Sequence, residues 1–221
     1  MAPTVLSPSS PVELLHYIVT FQAYPTTLLI CCPREDFIST LLFDIQGQIP
    51  TEDHRDLDER RPLPLLSATL YQTAVARHIR ILFIPTVTHL RAYLSAFDPS
   101  DSLTPPPPNY LPPSLGKRRP PLLLVYGFLN LHRDSSEWSA QGLSNSAAAL
   151  IEAARRTEFK PVVVEPKGAG GHEDFKAVLR DDIPVLSGSS RRDEGIWTGR
   201  TVEVKRVLGR WFRFQMGQWD F

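Results

Sequence analysis

Apolar positions along the chain fall into two arrangements, short unbroken runs and longer stretches spaced by three and four. The runs lie at residues 26–32, 78–84, 122–127 and 161–165. Bulky apolar residues in such a row read as strands covered on both faces, the habit of a parallel sheet packed between helices. Helical spacing fills the gaps. Leu14, Leu15, Ile18, Val19 and Phe21 predict a helix over 11–23 with Ser9 or Ser10 as its cap. Pro33, with Glu35 and Asp36 behind it, suits a helix start that runs on through Phe37, Leu41 and Leu42. Further helices are predicted over 65–77, 86–97 and 144–157, the last rich in alanine, with a polar loop leading into it. Near the end, Ile183-Pro184-Val185-Leu186 precedes two stretches, 201–207 and 210–214, that predict a β-hairpin turning at Leu208-Gly209. The pattern as a whole predicts an α/β domain. Its mostly parallel central sheet is flanked by helices and finished at one edge by C-terminal antiparallel strands.

Two segments interrupt this order. Residues 44–64 are crowded with charges of both signs, from Glu52 and Asp53 to Arg60 and Arg61, and read as a solvated insertion. Residues 99–120 carry Pro105-Pro106-Pro107-Pro108 and Pro112-Pro113 and close in Lys117-Arg118-Arg119-Pro120. Such a run packs as neither helix nor strand, so a disordered spacer is expected there, with docking of a proline-reading domain as the other use.

The run at 122–127 ends in Tyr126, where a nucleotide-binding α/β protein places the carboxylate that holds magnesium. A phenol at neutral pH is no ligand for a hard cation. No G-x-x-x-x-G-K-[ST] occurs, and the one Gly-Lys pair, Gly116-Lys117, lies in the proline-rich segment. If 26–32 is the first strand, Cys32-Pro33-Arg34-Glu35-Asp36-Phe37 stands in the place of the glycine-rich loop, and its two acids repel phosphate. If it is the second strand, the loop-bearing strand is missing. Either way the chain is expected to be a pseudo-ATPase, not an enzyme, with no cofactor and no metal.

Composition narrows the class. With 221 residues and 42% hydrophobic content, one domain over 1–221 can bury a substantial core. The formal net charge is zero, so attraction to nucleic acid has to come from a local patch. Adjacent Cys31 and Cys32 sit inside an apolar run and read as buried thiols of a reducing compartment. No apolar stretch approaches the roughly 18 residues of a membrane span, and the first residues lack the charged and apolar regions of a signal peptide. An intracellular soluble protein is expected.

The stretch Leu122-Leu123-Leu124-Val125-Tyr126-Gly127-Phe128-Leu129-Asn130-Leu131-His132-Arg133-Asp134 resembles the Walker B strand, and the loop after it, of RecA-type recombinases, in particular their eukaryotic paralogues. Residues 147–156 with Pro161-Val162-Val163-Val164-Glu165 are similar to the next helix and strand of that family, and residues 195–206 to its final strands. In the N-terminal half, residues 78–85 and Leu90-Arg91-Ala92-Tyr93-Leu94 look like the strand and helix that precede Walker B in the short paralogues of Shu-type complexes. The resemblance implies a RecA-like fold with a degenerate P-loop. It also implies a nuclear, non-catalytic subunit that supports homologous-recombination DNA repair by pairing with a recombinase or Shu-type partner and binding DNA. The alternative it leaves open is an Elongator-type accessory subunit acting in tRNA modification, since those proteins share a Walker-less RecA-like fold. ATP, magnesium and catalytic glutamate assignments carry over to no residue.

Other constellations are weak. His16, His54, His78, His89, His132 and His172 show no metal-ligand spacing, Ser187-Gly188-Ser189 lacks the G-x-S-x-G frame, and the glycines of 168–171 lack a nucleotide fingerprint. More informative are Lys205, Arg206, Arg210 and Arg213 on the expected hairpin, preceded by Arg191, Arg192 and Arg200 and interleaved with Trp197, Trp211, Phe212 and Trp219. Cations beside rings suit single-stranded DNA, whose phosphates meet guanidinium groups while its bases stack. The competing reading is an edge hairpin protected by charge, with its rings in the core.

Overall fold

The computed structural model describes residues 2–21, 25–48, 70–99, 121–168, 170–186 and 200–217. Residues 49–64 of the expected 44–64 insertion and 100–120 of the expected 99–120 insertion lie outside them, as do Arg191, Arg192, Trp197, Trp219, His54 and residues 187–189.

In chain order the elements are β1 (Thr4–Leu6), α1 (Pro11–Phe21), β2 (Thr26–Ile30), α2 (Arg34–Gln48), α3 (Leu70–Ala76), β3 (Ile79–Phe83), α4 (Val87–Ser95) and β4 (Leu122–Tyr126). They continue with α5 (Phe128–Arg133), α6 (Ala140–Arg156), β5 (Lys160–Val164), α7 (His172–Arg180), β6 (Asp182–Pro184), β7 (Thr201–Glu203), α8 (Val204–Leu208) and β8 (Arg213–Gln215). Six strands form one sheet in the order β3-β2-β4-β5-β1-β8, and every neighbouring pair in it is parallel. Apart from it, β6 and β7 pair as an antiparallel ribbon. This is the α/β architecture that the run-and-spacing pattern predicts, and it matches the RecA-like fold that the resemblance implies.

Alternation within the central strands feeds two cores. Leu28, Ile30, Leu124, Tyr126, Val162 and Val164 pack with Leu14 and Ile18 of α1 and Phe37 of α2. Leu29, Leu123, Val125 and Val163 face the other way, onto Leu90 and Leu94 of α4, Phe128 of α5 and Leu143, Ala147 and Leu150 of α6. A strand sandwiched in this manner has no polar face to show, which is why β2 and β4 read as unbroken apolar runs. The capping expected for α1 is a reciprocal box. Glu13 N donates to Ser10 Oγ at 3.3 Å and Ser10 N donates to Glu13 Oε2 at 2.9 Å.

The structure corrects several expectations. Residues 26–30 form the second strand, and the first is the three-residue β1, too short to carry a period. The 201–214 hairpin does not exist. Val204, Val207 and Leu208 follow helical spacing and are buried as one face of α8, so the segment bends into a helix between β7 and β8. The last strand therefore joins the sheet in parallel beside β1, and the central sheet has no mixed edge. The 44–64 insertion starts later than expected, because α2 continues to Gln48. The polar loop before the alanine-rich helix contains α5, and that helix begins at Ala140, where the Ser139 side chain accepts from Gly142 N. Helix α7, with Phe175 and Leu179 buried, was not anticipated.

Leu124 is fully buried in the middle of β4. Its replacement by alanine should lower the free energy of unfolding by about 2–5 kcal/mol in denaturant titration. A change below about 1 kcal/mol would place it in a region free to collapse.

Candidate functional site

In an open parallel sheet the crevice for a ligand lies outside the carboxyl ends of the strands, where neighbouring strands send their connections to opposite sides. Here that point falls between β1 and β5: the chain leaves β1 for β2 on one side, and leaves β5 for β8 on the other.

The linker from β1 to α1 is residues 7–10, Ser7-Pro8-Ser9-Ser10, and it contains no glycine. Most of its polar groups are committed to the chain itself, while the buried Ser9 Oγ has no hydrogen-bond partner among the described residues. Ser7 Oγ donates to Gly217 O at 2.7 Å and accepts from Gly217 N at 2.9 Å, tying the linker to the segment after β8. Ser9 N donates to Glu165 O and Lys167 N donates to Ser9 O, both at 3.0 Å, which prolongs the β1–β5 pairing past the strand ends. Helix α1 then opens on its capping box, and Glu13 also pairs with Lys167 Nζ at 3.1 Å. Of the groups that would receive phosphate at such a helix start, Ser9 N has a carbonyl partner, Ser10 N and Lys167 Nζ have the Glu13 carboxylate, and Glu13 N has the Ser10 hydroxyl.

Tyr126, at the carboxyl end of β4, completes the closure. Its hydroxyl donates to Ser9 O at 3.0 Å, and its ring meets Phe37 edge-on with centroids 5.8 Å apart. Burial pushes the phenol well above its ordinary range, and Cys32, Glu165, Asp44 and Glu13 add to the effect, so the group stays a protonated donor. An aspartate in this acid-rich position would carry both a desolvation cost and like-charge repulsion. The side chain at the carboxyl end of β4 therefore bonds to the linker that leaves β1.

Glu165, missed as a site residue by sequence reasoning, directly follows β5 behind this closure. Only 4% of it is exposed, and its Oε1 accepts from Leu129 N at 2.8 Å. Gly127 makes the approach possible: its φ of +84° turns the chain from β4 straight into α5 and brings the first amides of that helix over the carboxyl. Burial raises the acid to about 8, and the amides of Leu129, Asn130 and Phe128 pull the other way without cancelling it. Oε2 has no hydrogen-bond partner among the described residues.

A second polar group lies under α6. His132 Nδ1 is 2.7 Å from Phe128 O, a carbonyl that only accepts, so Nδ1 carries the proton and Nε2 accepts the Ser146 hydroxyl at 2.8 Å. Arg91 Nε donates to Ser146 Oγ at 2.9 Å, and its Nη2 reaches Glu137 Oε2 at 2.6 Å and Gly142 O at 2.9 Å. Serine bonded to histidine is the pairing of a nucleophile with its base, yet both residues are fully buried and no substrate can reach them. Burial lowers His132 to about 4, so it stays neutral as a clasp between α5 and α6. Gly142 is required for that clasp, because a Cβ there would overlap the Glu137 carbonyl.

The four cations singled out in the sequence are all exposed. Lys205 and Arg206 lie on α8, Arg210 in the turn after it, and Arg213 opens β8 at the sheet edge. Their expected aromatic companions are placed differently. Phe212 is in the core, and Trp211 is half-buried against it. Cys31 is buried and Cys32 half-buried, both thiols are free, and burial raises both. Among the described residues no group of His, Cys, Asp or Glu is placed to hold a metal ion, and no described helix is long and apolar enough to cross a membrane.

No model of a known protein family matches the chain, and no curated protein matches it in sequence.

Glu165 generates a pH prediction. Its folded value of about 8 lies above the ordinary 4.5, so the folded chain binds this proton more tightly than the unfolded one. Its contribution is therefore complete below 4.5 and lost as pH rises through 8, at a slope of up to ~1.4 kcal/mol per pH unit. Glu165→Gln, which keeps an oxygen for Leu129 N, should be more stable than wild type at pH 8 and lose that advantage at pH 5. Equal stability differences at the two pH values in urea titrations would show that the carboxyl ionises freely.

Proposed function

We propose that this chain is a non-catalytic RecA-like subunit of a heteromeric complex supporting homologous-recombination DNA repair, acting by binding a recombinase or Shu-type partner and DNA. The observation that carries the non-catalytic part is the Tyr126 hydroxyl bonded to Ser9 O. This contact sits at the switch point where a RecA-like sheet would take nucleotide, and it is backed by the short, glycine-free linker. The recombination part is supported by the RecA-like strand order together with the similarity of residues 122–134 to a recombinase Walker B segment.

Binding is the activity that such a scaffold retains. The exposed Lys205, Arg206, Arg210 and Arg213 are the residues proposed to meet nucleic-acid phosphates. With Phe212 buried, the structure favours phosphate contact over base stacking for this patch. In a chain of zero formal charge such a patch acts locally, and useful affinity follows when a partner adds a second basic surface. Nuclear localisation belongs to the same proposal.

Affinity purification of the full chain tests the partner. Recovery of a recombinase or of Shu-type subunits is expected; recovery of a six-membered Elongator ring would replace recombination with tRNA modification.

Two further outcomes are expected. Equilibrium dialysis with ATP and magnesium should show no saturable binding, and Tyr126→Asp should not create any, because the 7–10 linker remains closed. Saturable ATP binding by the wild-type chain would overturn the pseudo-ATPase reading. For DNA, replacing Lys205, Arg206, Arg210 and Arg213 together by alanine should weaken single-stranded binding and flatten its dependence on salt, since fewer phosphate contacts release fewer counterions. A folded quadruple variant with wild-type affinity and salt slope would move the DNA contact elsewhere.

A further inference from the structure

On the side of the sheet away from α1, a cavity of about 420 Å³ opens between α5, α7 and the segment that follows β5. Leu129, Phe175 and Val178 form apolar walls, and Glu165 lines the cavity with Asn130 and Asp174. The buried Glu165 carboxyl uses Oε1 on Leu129 N, and its Oε2 meets no donor among the described residues. A buried oxygen without a partner carries a cost that a ligand donor removes.

From this combination we infer that the cavity is a binding site for a primary alkylammonium group, whose aliphatic stem lies on Leu129, Phe175 and Val178 and whose nitrogen donates to Glu165 and to the Asn130 carbonyl.

Charge favours a cation over an anion. The charged groups facing Glu165 around the cavity are Arg133, Lys167, Asp174 and Asp181, and the Cys31 thiol stands behind it. Both cations are engaged, Arg133 with Asp181 at 3.3 Å and Lys167 with Glu13 at 3.1 Å. Asp174 Oδ2 accepts from Gly170 N at 2.7 Å, which holds the following turn beside the cavity while leaving the carboxylate charge in place. A single available oxygen on Glu165 suits an ammonium, which needs no paired acceptors, better than a guanidinium fork. The arriving positive charge supplies what burial denies the carboxyl, a reason to ionise. The group can come from a free amine or from a lysine of a protein partner.

Isothermal titration of the full chain at pH 8 separates the two sources, with cadaverine as the free amine and the peptide Ac-Gly-Lys-Gly-NH2 as the side chain. Binding of cadaverine alone assigns a small-molecule site, and binding of the peptide, alone or with cadaverine, assigns a partner's lysine. In each case Glu165→Gln should weaken the interaction at least tenfold. Ala177→Trp, which places a large ring at the cavity wall without touching the buried carboxyl, should do the same. Absence of heat from both probes at about 10 mM, beyond the weakest useful affinity, overturns the proposal. So does a folded Glu165→Gln or Ala177→Trp chain that binds as wild type. Failure here leaves the pseudo-ATPase reading untouched, since the Tyr126–Ser9 contact that carries it involves no side chain lining the cavity.

Discussion

Ser9 sits where the chain leaves β1, and both its amide and its carbonyl are bonded to the segment that leaves β5. In a parallel sheet these two departures are the lips of the ligand crevice, so pairing them past the strand ends seals it with the same backbone bonds that build the sheet. The carbonyl accepts twice, from Lys167 N and from the Tyr126 hydroxyl, which uses both of its lone pairs. Opening the crevice for a phosphate would break these bonds and leave a buried carbonyl and a buried phenol without partners, at about 1–3 kcal/mol each. The acids around Tyr126 raise that cost further for any anion. Closure is thus a property of several elements at once, β1, β4 and the segment after β5.

The opposite layer solves a different problem, how to bury polar side chains without leaving charge behind. His132, Ser146 and Arg91 do so by forming a chain that runs from the Phe128 carbonyl through the neutral imidazole and the Ser146 hydroxyl to the guanidinium. Glu165 does so by holding its proton to about pH 8 while α5 lends amide hydrogens to one oxygen. The two differ in completeness. A satisfied network rigidifies its surroundings, whereas a carboxyl with one idle oxygen beside a cavity retains capacity for a ligand.

How much of this was legible in the sequence depends on the length of each element. Strands β2, β4 and β5 are five residues each and buried nearly throughout, so their apolar runs stand out, and the parallel α/β class follows from them. Strand β1 has three residues and β8 three, which is less than any period can show, and their places depend on pairing with chain far away in sequence. Residues 201–205 alternate while 204–208 satisfy helical spacing, so the two patterns overlap; the burial of Val204, Val207 and Leu208 together decided for the helix. Tyr126 announced an absent magnesium ligand, yet its partner Ser9 is 117 positions away along the chain. Glu165 read as the end of a strand because only the turn at Gly127 brings helix amides over it.

On the proposed non-catalytic reading, function works from surfaces that the sheet does not share with nucleotide. The exposed cations of α8 and β8 stand at the β8 edge, next to β1, while the 420 Å³ cavity stands at the end of β5. One surface presents positive charge to solvent and the other presents a buried acid to a donor, so they are complementary to different chemistry and do not compete for one ligand. A nucleotide-driven member of this architecture couples its surfaces through the state of the phosphate site. In the proposed pseudo-ATPase the corresponding strand ends are joined by backbone pairing, and the β1–β5 junction would serve as a support between the two surfaces instead of a switch.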